Sequence, residues 1–176
     1  MNTFVKLIKL SEFSYEKVKY YSVVINDKEY KEENSEFYCF LSNMELESES
    51  ETDLVNLITW IEEIGEKYGA KEKFFRKEGI YSDTSALPPD AGEQRVCKIL
   101  VNNLRLYCLR ANEHVVILFN GGIKTTIKAN DCPNVKNHFL TANRITKKIN
   151  ESFKTEITWN SDYTDICFNE SFEFEI

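Results

Sequence analysis

Only three prolines, six glycines and two histidines occur in this 176-residue chain. So few breakers exclude collagenous and low-complexity architectures. The five cysteines (Cys39, Cys97, Cys108, Cys132 and Cys167) form no C-x-x-C pair, and the two histidines complete no ligand spacing. No metal and no cofactor are therefore expected. The cysteines are odd in number and mostly sit in apolar runs, as reduced core thiols do in a cytoplasmic protein. No run of about 18 apolar residues occurs, so neither a membrane-spanning helix nor a membrane partner is expected. The opening MNTFVKLIKLSEFSYEK lacks a basic region leading into an uninterrupted apolar stretch, and no secretory signal is read there. What is present is an ordinary globular composition, 42% hydrophobic and 29% charged, which at this length argues for a single domain over 1–176.

Positive charge is in short supply, with 22 Lys and Arg against 29 Asp and Glu and a net charge of −7. That balance argues against a constitutive nucleic-acid coat, and no direct DNA partner is expected. The charge is nevertheless segregated. Between Arg95 and Lys148, ten basic residues face only Glu113 and Asp131, a net of +8 that leaves −15 for the remainder. Much of the latter lies between Glu29 and Asp53, where nine acids face one base, Lys31. Two readings follow: the basic span is a local anion-binding surface, or the acidic and basic segments pair on folding, the acidic one masking the basic.

Phe4 to Leu10 reads as a strand, and Val18 to Ile25 as a second that breaks at Asn26-Asp27 into a hairpin with Lys28 to Lys31. Phe37 to Leu41 is apolar but too short for periodicity to separate helix from strand. Glu45 to Glu51 reads as a solvated linker or a fraying helix start. Leu54, Leu57, Ile58, Ile61, Ile64 and Tyr68 recur at intervals of three and four, which predicts a helix over about 52–68. A capping box at Ser50 to Asp53 would open it and Gly69 would stop it. Ser85 to Gly92, with Pro88 and Pro89 adjacent, is expected to be irregular. A three-strand antiparallel meander is expected over about 96–119, from Val96 to Val101, Leu104 to Leu109 and Val115 to Phe119, because the connections are too short for parallel pairing. Val135, Phe139, Ala142, Ile145 and Ile149 predict a second helix over about 133–150, with Arg144, Lys147 and Lys148 at its negative end. Alternating Phe172, Phe174 and Ile176 predict a last strand. The fold class is α+β, a mainly antiparallel sheet packed by two principal helices. Residues 1–44 and 151–176 are N- and C-terminal strand extensions around a core of 45–150.

His114 at a hairpin and His138 on the exposed side of the second helix have no nucleophile near them, so no hydrolytic triad is read. Asn120-Gly121-Gly122 matches neither a Walker loop nor a dinucleotide fingerprint and reads as a tight turn or bulge. The sharper signal is the strand Leu104 to Arg110. Alternation puts Leu104, Leu106 and Cys108 on one face and Arg105 and Tyr107 on the other. Lys124, after the next strand, converges with Arg105 and Tyr107 on one sheet surface. Cations beside a ring on an open face can grip a phosphodiester and stack a base. In the purely structural alternative, the arginine stem lies across the tyrosine.

The succession FFRKEGIY, RLYCLR and HVVILFNGGIKTT, followed by a helix after Pro133, resembles the bacterial RelE/HigB-like toxin superfamily, particularly its phage-derived branch. The similarity covers about Lys71 to Asn150 and implies a RelE-like core over 45–150. Active members are ribosome-dependent endoribonucleases that cut mRNA without a metal, each neutralised by an antitoxin. The resemblance therefore implies mRNA, the ribosome and an antitoxin protein as partners. It places Arg105 at the arginine position of the central strand and Lys124 at the basic position after the next strand. Arg76 and Lys77 fall where the family's Phe-Arg segment enters the sheet. On this reading Arg105 and Lys124 stabilise phosphate charge, Arg76 or Arg110 assists, and Tyr107 stacks or orients a base. Lys77, Lys98, Arg110 and Lys128 are the candidates for further RNA contacts. The family's C-terminal tyrosine has no counterpart here, since the next aromatic after Lys124 is Phe139. The alternative function is a non-catalytic RelE-like module that binds RNA or a protein partner.

Overall fold

The computed structural model describes residues 2–27, 29–79 and 82–176. Lys28 of the expected hairpin, and Ile80 and Tyr81 of the FFRKEGIY motif, lie outside the described residues. Nine strands and four α-helices follow one another along the described chain, and the class is α+β. Strands β1 (Phe4–Ser14) and β2 (Lys19–Ile25) form an antiparallel hairpin. Helices α1 (Glu36–Glu45) and α2 (Glu51–Glu63) come next. Short strands β3 (Arg76–Lys77) and β4 (Thr84–Leu87), helix α3 (Ala91–Cys97) and the hairpin of β5 (Leu104–Arg110) with β6 (Val115–Ile123) complete the middle of the chain. Helix α4 (Lys136–Ser152) precedes a small β7 (Thr158–Trp159) and β8 (Ile166–Cys167) pair and a last strand, β9 (Glu173–Glu175).

Seven of the strands make one sheet in the order β3-β4-β5-β6-β2-β1-β9. Every neighbouring pair is antiparallel except β2 beside β6. That parallel seam is short, joining Lys19–Tyr21 to Val115–Ile117. Beyond it the two strands part and the first turn of α1 fills the gap. There the Phe37 amide donates to Ser22 Oγ (3.2 Å), and Asn120 Nδ2 donates to Glu36 (3.0 Å).

Period-two alternation gives the sheet two apolar faces, each buried by different helices. Val5, Leu7, Tyr21, Val23, Tyr107, Leu109, Ile117 and Phe119 pack with Val135, Phe139, Ala142, Ile145 and Ile149 at and along α4. Tyr20, Leu104, Leu106, Cys108, Val116 and Leu118 pack with Phe37 and Phe40 of α1 and Leu57, Trp60 and Ile61 of α2. The expected split of Leu104, Leu106 and Cys108 from Tyr107 is therefore observed. Both principal helices form from the expected stripes, on opposite sides of the sheet.

Four expectations are corrected. The strand expected over Val96 to Val101 is absent: Ala91–Cys97 is helical, Lys98 turns in the left-handed region, and Ile99 to Val101 has no strand partner among the described residues. Its alternation is real, since Cys97, Ile99 and Val101 face the α2 side whereas Val96 and Leu100 are exposed. Its backbone, however, bonds to side chains instead of to a strand. Val101 N donates to Gln94, while Trp60 Nε1 and Asn56 Nδ2 donate to the carbonyls of Ile99 and Leu100. The strand preceding β5 in the sheet is instead Thr84–Leu87, within a segment read as irregular because of Pro88-Pro89, and the prolines simply end it. The hairpin expected between Val18 to Ile25 and Lys28 to Lys31 does not form among the described residues, where a single 3-10 turn, Glu32–Asn34, leads into α1. Finally, only Cys108 and Cys132 of the five free cysteines are buried.

The capping box is replaced by a longer-range device. Ser50 Oγ donates to the carbonyls of Met44 and Glu47, closing the α1–α2 turn. Asp53 is buried, and its carboxylate accepts the Asn102 (3.0 Å) and Asn103 (2.9 Å) amides. One charged group thus fixes α2 to the entry of β5. Asp53→Ala is expected to cost about 1.5–3 kcal/mol, the range for hydrogen bonds to a charged acceptor. Urea denaturation showing no loss would contradict that role.

Candidate polyanion-binding groove

The sheet's α4 face carries Tyr107, the aromatic member of the expected site, but it is not open. Tyr107 is fully buried, its ring 5.5 Å from that of Phe139 on α4. The expectation that it stacks a base on an exposed face is corrected: α4 occupies the place of the base. Its hydroxyl has no hydrogen-bond partner among the described residues. Burial, and then the nearby Glu78, push the phenol well above its ordinary value, with Arg105 pulling the other way. Arg105 is half-buried. Its Nη1 donates to the Leu104 carbonyl at 2.7 Å, and its Nε is buried without a partner among the described residues. Burial lowers the guanidinium, the neighbouring Arg76 lowers it further, and Glu78 opposes both. Arg76 and Glu78 thus both act on the Arg105 charge, and Glu78 acts on Tyr107 as well. Register explains part of it, since Arg76 pairs with Ala86 and Ala86 with Tyr107.

Arg76 is committed to the chain. Its Nε donates to the Pro88 (2.9 Å) and Pro89 (3.1 Å) carbonyls, Nη2 donates to Pro89 (2.9 Å), and Asp90 lies 3.8 Å away. Lys124 is half-buried one residue beyond β6, its amide donating to the Asn103 carbonyl at 2.7 Å. Arg110 points away from Tyr107: its Nε donates to the Ala70 carbonyl and Glu72 lies 3.9 Å from its Nη1. With Lys77 it lines a separate hollow of about 480 Å³, in which Glu72 and Asp83 offset the two cations. Lys98 is exposed at the end of α3 with φ of +58°, on a segment that packs against α2, the far side of the sheet from Tyr107. His138 is half-buried rather than exposed, and burial lowers its imidazole while Glu36 opposes that shift.

Lys128 alone among the candidates reaches a cationic groove. About 640 Å³ in volume, the groove runs between the loop after β6 and the outer face of α4. Lys128, Arg144 and Lys147 bring positive charge, while Ile127, Phe139 and Leu140 form apolar walls. Asn130, Asn143 and Ser82 add hydrogen-bonding groups, and Glu78, whose charge also acts on Arg105 and Tyr107, lines the groove too. None of the three cations takes part in an ion pair among the described residues. Cys132 ties the loop that carries Lys128, its Sγ accepting from Thr125 N at 3.4 Å and facing the Ile123 carbonyl at 3.7 Å. Arg144 and Lys147 drew attention in the sequence only as partners of the helix dipole. Their spacing from Leu140, four and then three residues, is what places all three on one helix face.

The acidic segment does not cover this groove. Among the described residues no ion pair joins the acids of 29–53 to the bases of 95–148. Glu29 pairs with Lys31, Glu32 accepts from Ser11, and Glu36 accepts from Asn120. No acid of 29–53 lines the groove among the described residues. Comparison with protein families, with curated proteins and with solved structures finds no match for this chain.

Proposed function

We propose that this protein is a RelE-like, non-catalytic module that holds single-stranded RNA in the α4 groove. The observation that carries this reading is the set of three cations, Lys128, Arg144 and Lys147, without ion-pair partners among the described residues, around the apolar walls of the groove. Phosphates fit the cations, bases pack against Ile127, Leu140 and Phe139, and Asn130 and Asn143 meet base edges. The overall negative charge limits binding to this locality, because only the cation density near the groove enters the counterion term.

Fluorescence anisotropy with a labelled RNA oligonucleotide tests it. Arg144→Gln with Lys147→Gln is expected to weaken binding and to lower the slope of log K against log salt by about 1.4, or about 0.7 per cation removed. Unchanged affinity and slope would overturn the reading. A second reading, the ribosome-dependent endoribonuclease of a toxin–antitoxin pair, rests on the resemblance over about Lys71 to Asn150 and on the half-buried Arg105 and Lys124. It requires that purified protein cleave mRNA on ribosomes and that Arg105→Ala with Lys124→Ala, both half-buried, abolish the cleavage. An intact message in that assay ends it.

A further inference from the structure

We propose that the α4 groove also receives the acidic α1–α2 turn of a second copy of this chain. The two surfaces are complementary in charge and in apolar shape. The turn presents Leu46, 85% exposed, ringed by Glu45, Glu47, Glu49 and Glu51, all exposed. The groove presents Ile127, 95% exposed, and Leu140 between Lys128, Arg144 and Lys147. An apolar knob ringed by carboxylates thus has its counterpart in an apolar trough ringed by cations. The turn is also preorganised. Glu47 N donates to the Met44 carbonyl (3.1 Å) and Ser50 N to the Glu47 carbonyl (2.9 Å). Ser50 Oγ, itself buried, donates to both of those carbonyls. Little conformational freedom remains to be lost on docking.

Within one chain the two surfaces cannot meet, because α1 and α2 cover one face of the sheet and α4 the other. Docking in trans uses patches on opposite faces, so each bound copy leaves a free turn at one end and a free groove at the other. Association is then head to tail instead of closing as a two-fold dimer. A single turn in a groove is a small interface, so the contact is weak and salt-sensitive. Its carboxylates take the cations that RNA phosphates take on the reading above, making self-association a competitor of RNA. The inference shares that reading's groove but does not depend on its ligand.

Sedimentation velocity of the full chain without RNA tests it. The wild-type protein is expected to grow beyond its 20.6 kDa monomer as concentration rises at about 50 mM salt. It should return to monomer at about 500 mM, where the Debye length is about threefold shorter. Arg144→Gln/Lys147→Gln and Glu47→Gln/Glu49→Gln should each remain monomeric alone. Mixed, they retain one intact turn and one intact groove, and are expected to form a 1:1 dimer and nothing larger. Leu46→Ser, at an exposed site that leaves folding unaffected, should weaken association about tenfold or more. A monomeric wild type at every concentration and salt, or a mixture that stays monomeric or grows past the dimer, overturns the proposal. RNA binding by a monomeric wild type would remove self-association alone, and self-association without RNA binding would remove the RNA reading alone.

Discussion

Alanine at Gly121 is expected to cost about 3 kcal/mol or more, a large share of the stability of a chain this size. A Cβ there would fall well inside van der Waals contact of the Arg105 carbonyl oxygen, 2.9 Å from its carbon and 3.0 Å from the Leu106 Cα. All three are backbone atoms of the paired strand, so no side chain can swing aside. The crowding comes from a bulge: Leu106 lies opposite Gly121 and Cys108 opposite Leu118, leaving Phe119 and Asn120 together across from Tyr107. Relief would require the β5–β6 ladder to part beside the buried Tyr107. Gly92 provides the contrast. It lies in α3 with nothing within 4 Å of its added Cβ, so Gly92→Ala is expected to stabilise by about 0.4–1 kcal/mol through the unfolded chain. Urea titrations of the two variants side by side check the pair, and a Gly121→Ala protein with the wild-type midpoint would refute the crowding.

That bulge was legible from Asn120-Gly121-Gly122, because glycine inside a strand pattern marks close backbone approach. The apolar stripes of α2 and α4 and the alternation of β5 were legible for a similar reason: burial on one face imposes a local period. The parallel seam of β2 with β6 leaves no such trace, since its partners lie about a hundred residues apart in sequence and α1 and α2 intervene. The segment Val96 to Val101 misled because its alternation records burial against α2, whereas strand identity depends on where the backbone hydrogen bonds go.

The candidate site was legible in its charges and not in its depth. Arg105 and Tyr107 do share a face, but the same alternation that groups them cannot say whether a helix covers that face. Here α4 does, through Phe139, and the accessible cations move outward to Lys128 on the loop and to Arg144 and Lys147 on the helix. Leu140 was the missing sequence signal. An apolar residue off the Val135–Phe139–Ala142 stripe, with arginine four residues on and lysine three further, marks an exposed amphipathic strip rather than a core face.

Raising the pH above about 10 is expected to unfold the protein cooperatively. Tyr20 is fully buried and donates to the Ile61 carbonyl at 2.9 Å, and burial, followed by Cys108 and Tyr15, pushes its phenol up. Tyr21, donating to Asp165 at 2.6 Å, is raised by burial and then by that bond. Tyr107 and Cys108 are raised by burial and then by Glu78. Unfolded phenols titrate near 10 and thiols near 8.5, so above those values the unfolded chain has lost protons that the native state keeps. The native state then binds more protons, and stability must fall as pH rises. Each group removes up to about 1.4 kcal/mol per pH unit between its unfolded and folded values, and four together match a typical folding free energy within roughly two units. Cys132 has the opposite sign. Burial raises its thiol, but hydrogen bonds from the Thr125 backbone and hydroxyl and from the backbones of Asn134 and Val135 outweigh that and bring it to about 7. Its contribution therefore grows between about pH 7 and about pH 8.5, below the collapse. Tyr107→Phe separates the phenols. Its hydroxyl has no partner among the described residues to lose, so neutral-pH stability should hold or rise while the alkaline midpoint moves up. Tyr20→Phe should instead cost about 1 kcal/mol at neutral pH, because the buried hydroxyl's hydrogen bond to the Ile61 carbonyl is lost. Circular dichroism and tyrosinate absorbance followed together check the account, and unfolding uncoupled from tyrosine ionisation, or a lower midpoint for Tyr107→Phe, would contradict it.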